Sequence, residues 1–340
     1  MKPLVLDLCS EACAGRAPGT EQSRAARRAI TTELRRAGLD PFEQAVPGCN
    51  GANVLAVLPG DVDRWVVLGA HYDHLGKIGE RVFWGADDNA AAVGILASVA
   101  SALSARRPAG RGVIVAVFDG EEPPFFLSDG MGSRAFLQRP PVPVETIDFM
   151  LCMDLVGHAL GSADLPAEVQ NTVFALGAER SSGTGQRVDE LATRVAGVTV
   201  RRADAEVIPP LSDYEPFWRS QIPFLFLTCG RSRVYHTPED TPELLAWEKM
   251  AALASWLEIF TREICRDTRP IAFRNVTDDA STLRSLQALL SPLAPVVEPA
   301  RLALSKAETL RRVCDAEGSL PPQLRDEARA LVAAIEGALA

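Results

Sequence analysis

The chain has 340 residues, enough for one large domain or two smaller ones, and 47% of them are hydrophobic, which supports a sizeable packed core. Charged residues make up 23%, which argues against disorder, and the formal net charge of −9 argues against nucleic acid as a partner. No apolar stretch approaches the roughly 20 uncharged residues of a membrane span, so no membrane partner is expected.

Residues 21–37 (EQSRAARRAITTELRRA) read as an amphipathic helix stopped by Gly38. Residues 52–58 and 65–70 read as strands. From Asn89 to about Ser104 the chain is rich in Ala, Val and Leu and long enough for a buried helix. Residues 112–118 (GVIVAVF) form a continuous apolar run, the pattern of a strand covered on both faces. Residues 148–153 are similar. Further strands are expected at 171–178 and 197–202, around a helix near 185–195. Residues 222–228 (IPFLFLT) read as another buried strand, and a helix from about Pro242 to Arg266 follows.

Strands alternating with helices indicate an α/β fold, three layers deep, with a central, mostly parallel mixed sheet. After about Arg266 the character changes. Three helical patterns near 278–291, 297–316 and 321–339 are broken at Pro292–Pro295 and Gly318–Pro322. The division is therefore a domain at 1–266 and a helical extension at 267–340, expected to pack on the first or to form a homodimer. No chemistry is visible in the extension. The N-terminus lacks a charged segment followed by an apolar one and a cleavage site. The seven cysteines are scattered and odd in number, without a CxxC pair. A cytoplasmic, reduced location is the expectation.

Open α/β sheets build their sites at the carboxyl ends of their strands. His71 follows one expected strand, Glu121 and Glu122 follow the next, Asp154 the next, and His236 lies in the loop after the last. Asp88 lies just before the Ala-rich helix. Two histidines and three carboxylates (His71, Asp88, Glu122, Asp154, His236) suit a pair of zinc ions, and Co2+ or Mn2+ could occupy the same donors. Glu121 is free to act as a base.

The segments His71-Tyr72-Asp73, Gly85-Ala86-Asp87-Asp88-Asn89-Ala90, Glu121-Glu122, Met153-Asp154-Leu155-Val156-Gly157 and Tyr235-His236-Thr237-Pro238 occur in that order. In this they resemble the co-catalytic zinc aminopeptidases of the aminopeptidase S and aminopeptidase Y type, over about residues 15–266. The resemblance implies that Asp88 bridges the two metals. It implies that His71 and Asp154 complete one site and that Glu122 and His236 complete the other. It makes Glu121 the general base and Tyr235 a hydrogen-bond donor to the developing oxyanion. Asp73 can orient the His71 imidazole, and Asp240 can do the same near His236 or cap a turn. His74 and His158 read as neighbours, not ligands. The implied reaction is hydrolysis of the N-terminal bond of a peptide or amino-acid amide with a free N-terminus.

Two departures stand out. Ala91-Ala92 replaces the usual Ser-Gly. Nine residues, Pro123 to Met131, separate Glu122 from Gly132-Ser133, where such peptidases place about four. Glutaminyl cyclases share the fold and also carry a longer segment here; they hold one zinc and catalyse an intramolecular acyl transfer, which is the alternative reading. The insert is expected to shape the pocket for the substrate's first side chain, with Phe125 and Phe126 either favouring an apolar residue there or packing the insert onto the core.

Overall fold

A computed structural model describes residues 1–340. In chain order the elements are α1 (Lys2–Leu8), α2 (Glu21–Arg36), β1 (Phe42–Val46), β2 (Gly51–Leu58), β3 (Val62–His71), β4 (Lys77–Ile78), β5 (Arg81–Val82), α3 (Ala91–Ala105), β6 (Arg111–Phe118), α4 (Gly132–Gln138) and β7 (Ile147–Met153). Then come α5 (Ala167–Gln170), β8 (Thr172–Leu176), α6 (Thr184–Leu191), β9 (Thr199–Ala203), α7 (Glu215–Arg219), β10 (Phe224–Thr228), α8 (Trp247–Arg266), α9 (Asp279–Leu290), α10 (Glu298–Arg312) and α11 (Pro322–Leu339).

Eight strands form one mixed sheet in the order β1-β2-β6-β3-β7-β10-β8-β9. The middle four run parallel, while β2 and β8 pair antiparallel to their inner neighbours. These middle strands are continuous apolar runs because helices cover both faces. Val66, Leu68 and Ala70 of β3 face the layer of α1, α2, α3 and α8, and Trp65 and Val67 face the layer of Phe136, Tyr214 and Phe217. Alternation along the strand thus serves two cores, not core and solvent.

Local chemistry sets the helix ends. The Thr20 hydroxyl accepts from the Ser23 N–H at 3.1 Å and caps α2, and Gly38 then takes φ 78° to end the turn. Gly94 in α3 is required by packing. A Cβ there would stand 2.5 Å from the Val5 side chain of α1. Residues 86–105 are in fact long and apolar enough to cross a membrane by length and composition, contrary to the expectation above; folding buries most of this segment under the sheet.

The α/β layering, the strands and the long helices fall where expected, with shifts of a few residues. Helix α8 starts at Trp247, not Pro242, because Pro242–Leu244 forms its own tight turn. Edge strand β1 and the short helices α1, α4 and α7 carried too little periodicity to be seen. The C-terminal helices join the sheet at its β9 edge. The Ser285 hydroxyl of α9 donates to the Arg202 carbonyl at 2.6 Å, and Thr282 accepts from the Asp204 N–H at 2.8 Å. Leu283, Leu286, Leu331 and Ile335 are part of the same continuous core as β3 and α3.

Candidate metal centre

His71 is the last residue of β3, and Asp154 follows β7 directly. Glu121 and Glu122 follow β6 after a short turn, Asp88 precedes α3, and His236 sits in the loop after β10. The four parallel strand ends bring these residues into one cluster. His71 Nε2 lies 3.4 Å from Asp154 Oδ1, 3.6 Å from Asp88 Oδ1 and 3.7 Å from Glu121 Oε2. His236 Nε2 lies 3.1 Å from both Asp88 Oδ2 and Glu122 Oε2. Asp88 therefore turns one oxygen to each ligand set. His71, Asp73, Asp88, Glu122 and Asp154 are buried, whereas the His236 side chain is 27% exposed.

The donor set fits two cations. Zinc bonds of 2.0–2.1 Å in a tetrahedron put neighbouring donors roughly 3.3 Å apart, the range of the His71 and His236 separations. His71 Nε2, Asp154 Oδ1 and His236 Nε2 find no hydrogen-bond partner in the protein. Buried polar atoms left in that state normally meet an ion or water. His74, Asp88 and Glu122 form another trio within ligand reach. However, His74 Nδ1 stands 2.8 Å from Glu122 Oε1, a hydrogen-bond length. His74 thus orients Glu122, and His236 is the better third donor.

The surrounding residues hold the cluster in place. Asp73 accepts from the Glu121 N–H and the Glu122 N–H with its two oxygens, each at 3.1 Å. His71 Nδ1 is 3.7 Å from the Asp73 carboxylate and 3.3 Å from the Asp73 carbonyl. The residue expected to orient His71 thus clamps the Glu-Glu turn first. Asp240 accepts from the Asp87 N–H (2.9 Å) and the Asp88 N–H (3.1 Å), which is the turn-capping role. Asp87 accepts from the Gly157 N–H at 2.7 Å and pairs with His158 Nδ1 at 2.7 Å, tying the Asp88 turn to the loop after β7. Buried Arg16 donates to the carbonyls of Gly85 (2.5 Å), Trp84 (2.6 Å) and Tyr72, from the opposite side. Both His236 (φ 56°) and Leu155 (φ 53°) sit in the left-handed region, a local cost typical of sites held by their surroundings.

Residues 53–259 match Peptidase family M28. The chain belongs to this family. The Escherichia coli (strain K12) protein "Uncharacterized protein YfbL" is 31% identical over 209 residues, covering 55% of this chain and 62% of YfbL. The chain thus spans less than two thirds of that relative. Among solved structures, the Legionella pneumophila LapA aminopeptidase superposes with a TM-score of 0.64 at 15% identity, over 79% of this chain and 72% of LapA. A Zn-dependent exopeptidase from Parabacteroides distasonis gives 0.60 at 20% identity, over 78% of this chain and 96% of its own. Glutaminyl cyclase from Tannerella forsythia gives 0.60 at 20% identity, over 79% and 97%. At these identities the structural likeness is one of fold.

The charge balance of this M28 site is lopsided. Asp88, Glu121, Glu122 and Asp154 gather without a Lys or Arg among them. Burial pushes Glu121 well above the usual carboxylate range; His71 opposes, while Asp154, Glu122 and Asp213 add to the push. Burial works against a charged His236, yet Asp88 and Glu122 beside it raise it to about 10. Glu122 is also buried, but His236 and His74 bring it down to about 2. Protons collect where positive charge is missing, and a divalent cation answers the same need.

Two residues were missed from sequence. The Ser212 hydroxyl donates to Asp154 Oδ2 at 3.0 Å. Asp213 is fully buried with both carboxyl oxygens unpartnered, and burial raises it to about 7 against the pull of His71. They precede α7, which carries no strand-end signal; an acidic residue close to Tyr214, Phe217 and Trp218 was the only hint. The insert packs onto the core and does not shape the pocket, the second of the two readings of Phe125. Pro123–Met131 does not line the cleft; Phe125 packs against Val46, Cys49 and Ala135 on the far side of the Glu-Glu turn. The turn at Gly120 and Gly130 is too close for side chains there, so the insert folds back onto β1 and not over the His and carboxylate cluster. Tyr235 does line the cleft, its ring stacked on His236 with centroids 3.8 Å apart.

Proposed function

We propose that this M28 protein is a di-zinc aminopeptidase that hydrolyses the N-terminal bond of a peptide or amino-acid amide. The observation that carries the reading is Asp88, whose two oxygens face separate ligand sets, His71 with Asp154 and His236 with Glu122, on the floor of a cleft. Cations bound there supply Lewis-acid polarisation of a carbonyl and a water of lowered pKa.

The chain's own groups perform the remaining work. Glu121 reaches the cleft beside His71 and belongs to neither ligand set, so it takes the proton of the attacking water and hands it to the departing amine. The Tyr235 hydroxyl donates to the oxygen that gains negative charge. Asp73 acts through the Glu121–Glu122 backbone and positions both side chains.

The glutaminyl cyclase reading is kept because of the longer segment after Glu122 and the cyclase folds among the structural neighbours. A complete second ligand set argues for the peptidase. One experiment separates them: metal counting by elemental analysis, with turnover of aminoacyl amides and of glutaminyl peptides, with and without chelator. Two zinc ions and chelator-sensitive amide hydrolysis are expected. One tight zinc with glutamine cyclisation and no hydrolysis would move the assignment to the cyclase. Glu121→Gln should keep the zinc and lower kcat by about 10²- to 10⁴-fold; unchanged turnover would remove Glu121 as base.

A further inference from the structure

The family match ends at residue 259, yet the wall of the cleft opposite the metal ligands comes from beyond it. Leu286 and Leu289 of α9 and Val332 and Ile335 of α11 line one cavity of about 360 Å³ together with Asp88, Glu121, Glu122 and Asp154. The sheet side of the same cavity is apolar as well, with Phe174, Leu176 and Phe226.

The charged groups on this wall are already engaged. Glu336 accepts from the Arg231 N–H at 2.9 Å and from its guanidinium at 3.1 and 3.2 Å. Arg329 donates to Asp326 at 3.1 Å and to the Glu206 carbonyl at 3.0 Å. A charged substrate side chain entering here would lose water without gaining a partner. A large apolar one would replace water against leucine, valine and phenylalanine.

We propose that α9 and α11 are the selectivity wall of this enzyme, admitting substrates whose N-terminal side chain is a large aliphatic or aromatic group and excluding charged ones. The inference rests on the aminopeptidase reading and adds the specificity-determining residues, with Val332 foremost because it is half-buried and opens on the cavity. The Arg231–Glu336 contacts tie α11 to the loop that carries Tyr235 and His236, so wall and metal cluster hold a common geometry.

The test compares kcat/KM for leucine, phenylalanine, alanine, glutamate and lysine amides in wild type, Val332→Asp, Val332→Trp and Ala333→Trp. Ala333 is exposed at the same cavity. Val144→Trp, at an exposed residue away from the cleft, is the control. Wild type should favour leucine over alanine by about 100-fold or more, since each methylene in an apolar pocket contributes tenfold or more. Val332→Asp and Val332→Trp should lower the leucine-to-alanine ratio at least tenfold, and the control should leave it unchanged. A ratio within twofold of wild type in all three wall variants overturns the proposal while leaving the peptidase intact. Absence of turnover of every amide by metal-loaded wild type overturns the peptidase reading instead. In that case calorimetric binding of the neutral amide isocaproamide reads the wall directly. Binding tenfold weaker in Val332→Trp sustains the apolar pocket, and equal binding overturns it.

Discussion

Asp73→Asn tests how the cluster is held. Asp73 is fully buried, and its two oxygens accept from the consecutive N–H groups of Glu121 and Glu122 at 3.1 Å each. The amide keeps one acceptor and turns its NH2 toward the other N–H. One charge-assisted hydrogen bond becomes neutral, and the other is replaced by two opposed donors. A hydrogen bond to a charged group contributes about 1.5–3 kcal/mol, and an unsatisfied buried donor costs about 1–3 kcal/mol. The sum is about 3–5 kcal/mol for a side chain of nearly unchanged volume. In a domain of this size about 2 °C of Tm follows each kcal/mol, so the variant should melt about 6–10 °C below wild type. Because the clamped residues include Glu122, zinc affinity should fall by about 10- to 100-fold. The assay is thermal unfolding by circular dichroism with a chelator-competition zinc titration. A melting point within about 2 °C of wild type and an unchanged zinc affinity would refute the account of Asp73.

Asp88→Ala should lose both metals or nearly so in elemental analysis, because it removes a donor from each ligand set at once; retention of two would mean that the bridge lies elsewhere. Glu336 gives a pH-dependent prediction on α11. Burial would raise it, but Arg231 brings it below the usual glutamate range. A carboxylate depressed by folding contributes stability above its unfolded pKa and loses that contribution as pH falls through the folded value. Hydrogen-exchange protection of α11 should therefore hold steady from neutral pH down to about 5 and drop below about 4, and Glu336→Gln should remove this step. A step of the same size in the variant would assign the effect to another group.

What the sequence alone determined is which residues gather at the centre. Histidine and acidic residues at the ends of apolar runs can be read locally, because a parallel sheet puts the carboxyl ends of its strands together whatever the details of packing. His71, Glu121, Glu122 and Asp154 follow from that rule, and Asp88 and His236 from their motifs. Tertiary structure alone decided the neighbours. His74 hydrogen-bonds Glu122, His158 pairs with Asp87, and Ser212 reaches Asp154 across long stretches of chain. No local pattern marks such contacts, since they depend on where loops return after crossing the sheet. The same holds for the cleft. Phe125 and Phe126 left open an apolar pocket beside Glu122 or packing onto the core, and the tight approach of Gly120 to Gly130 folds that segment away from the cleft. The C-terminal helices, which looked devoid of chemistry, close the cleft. Their apolar stripes say that they must be buried, but only the position of α9 on the β9 edge says against what.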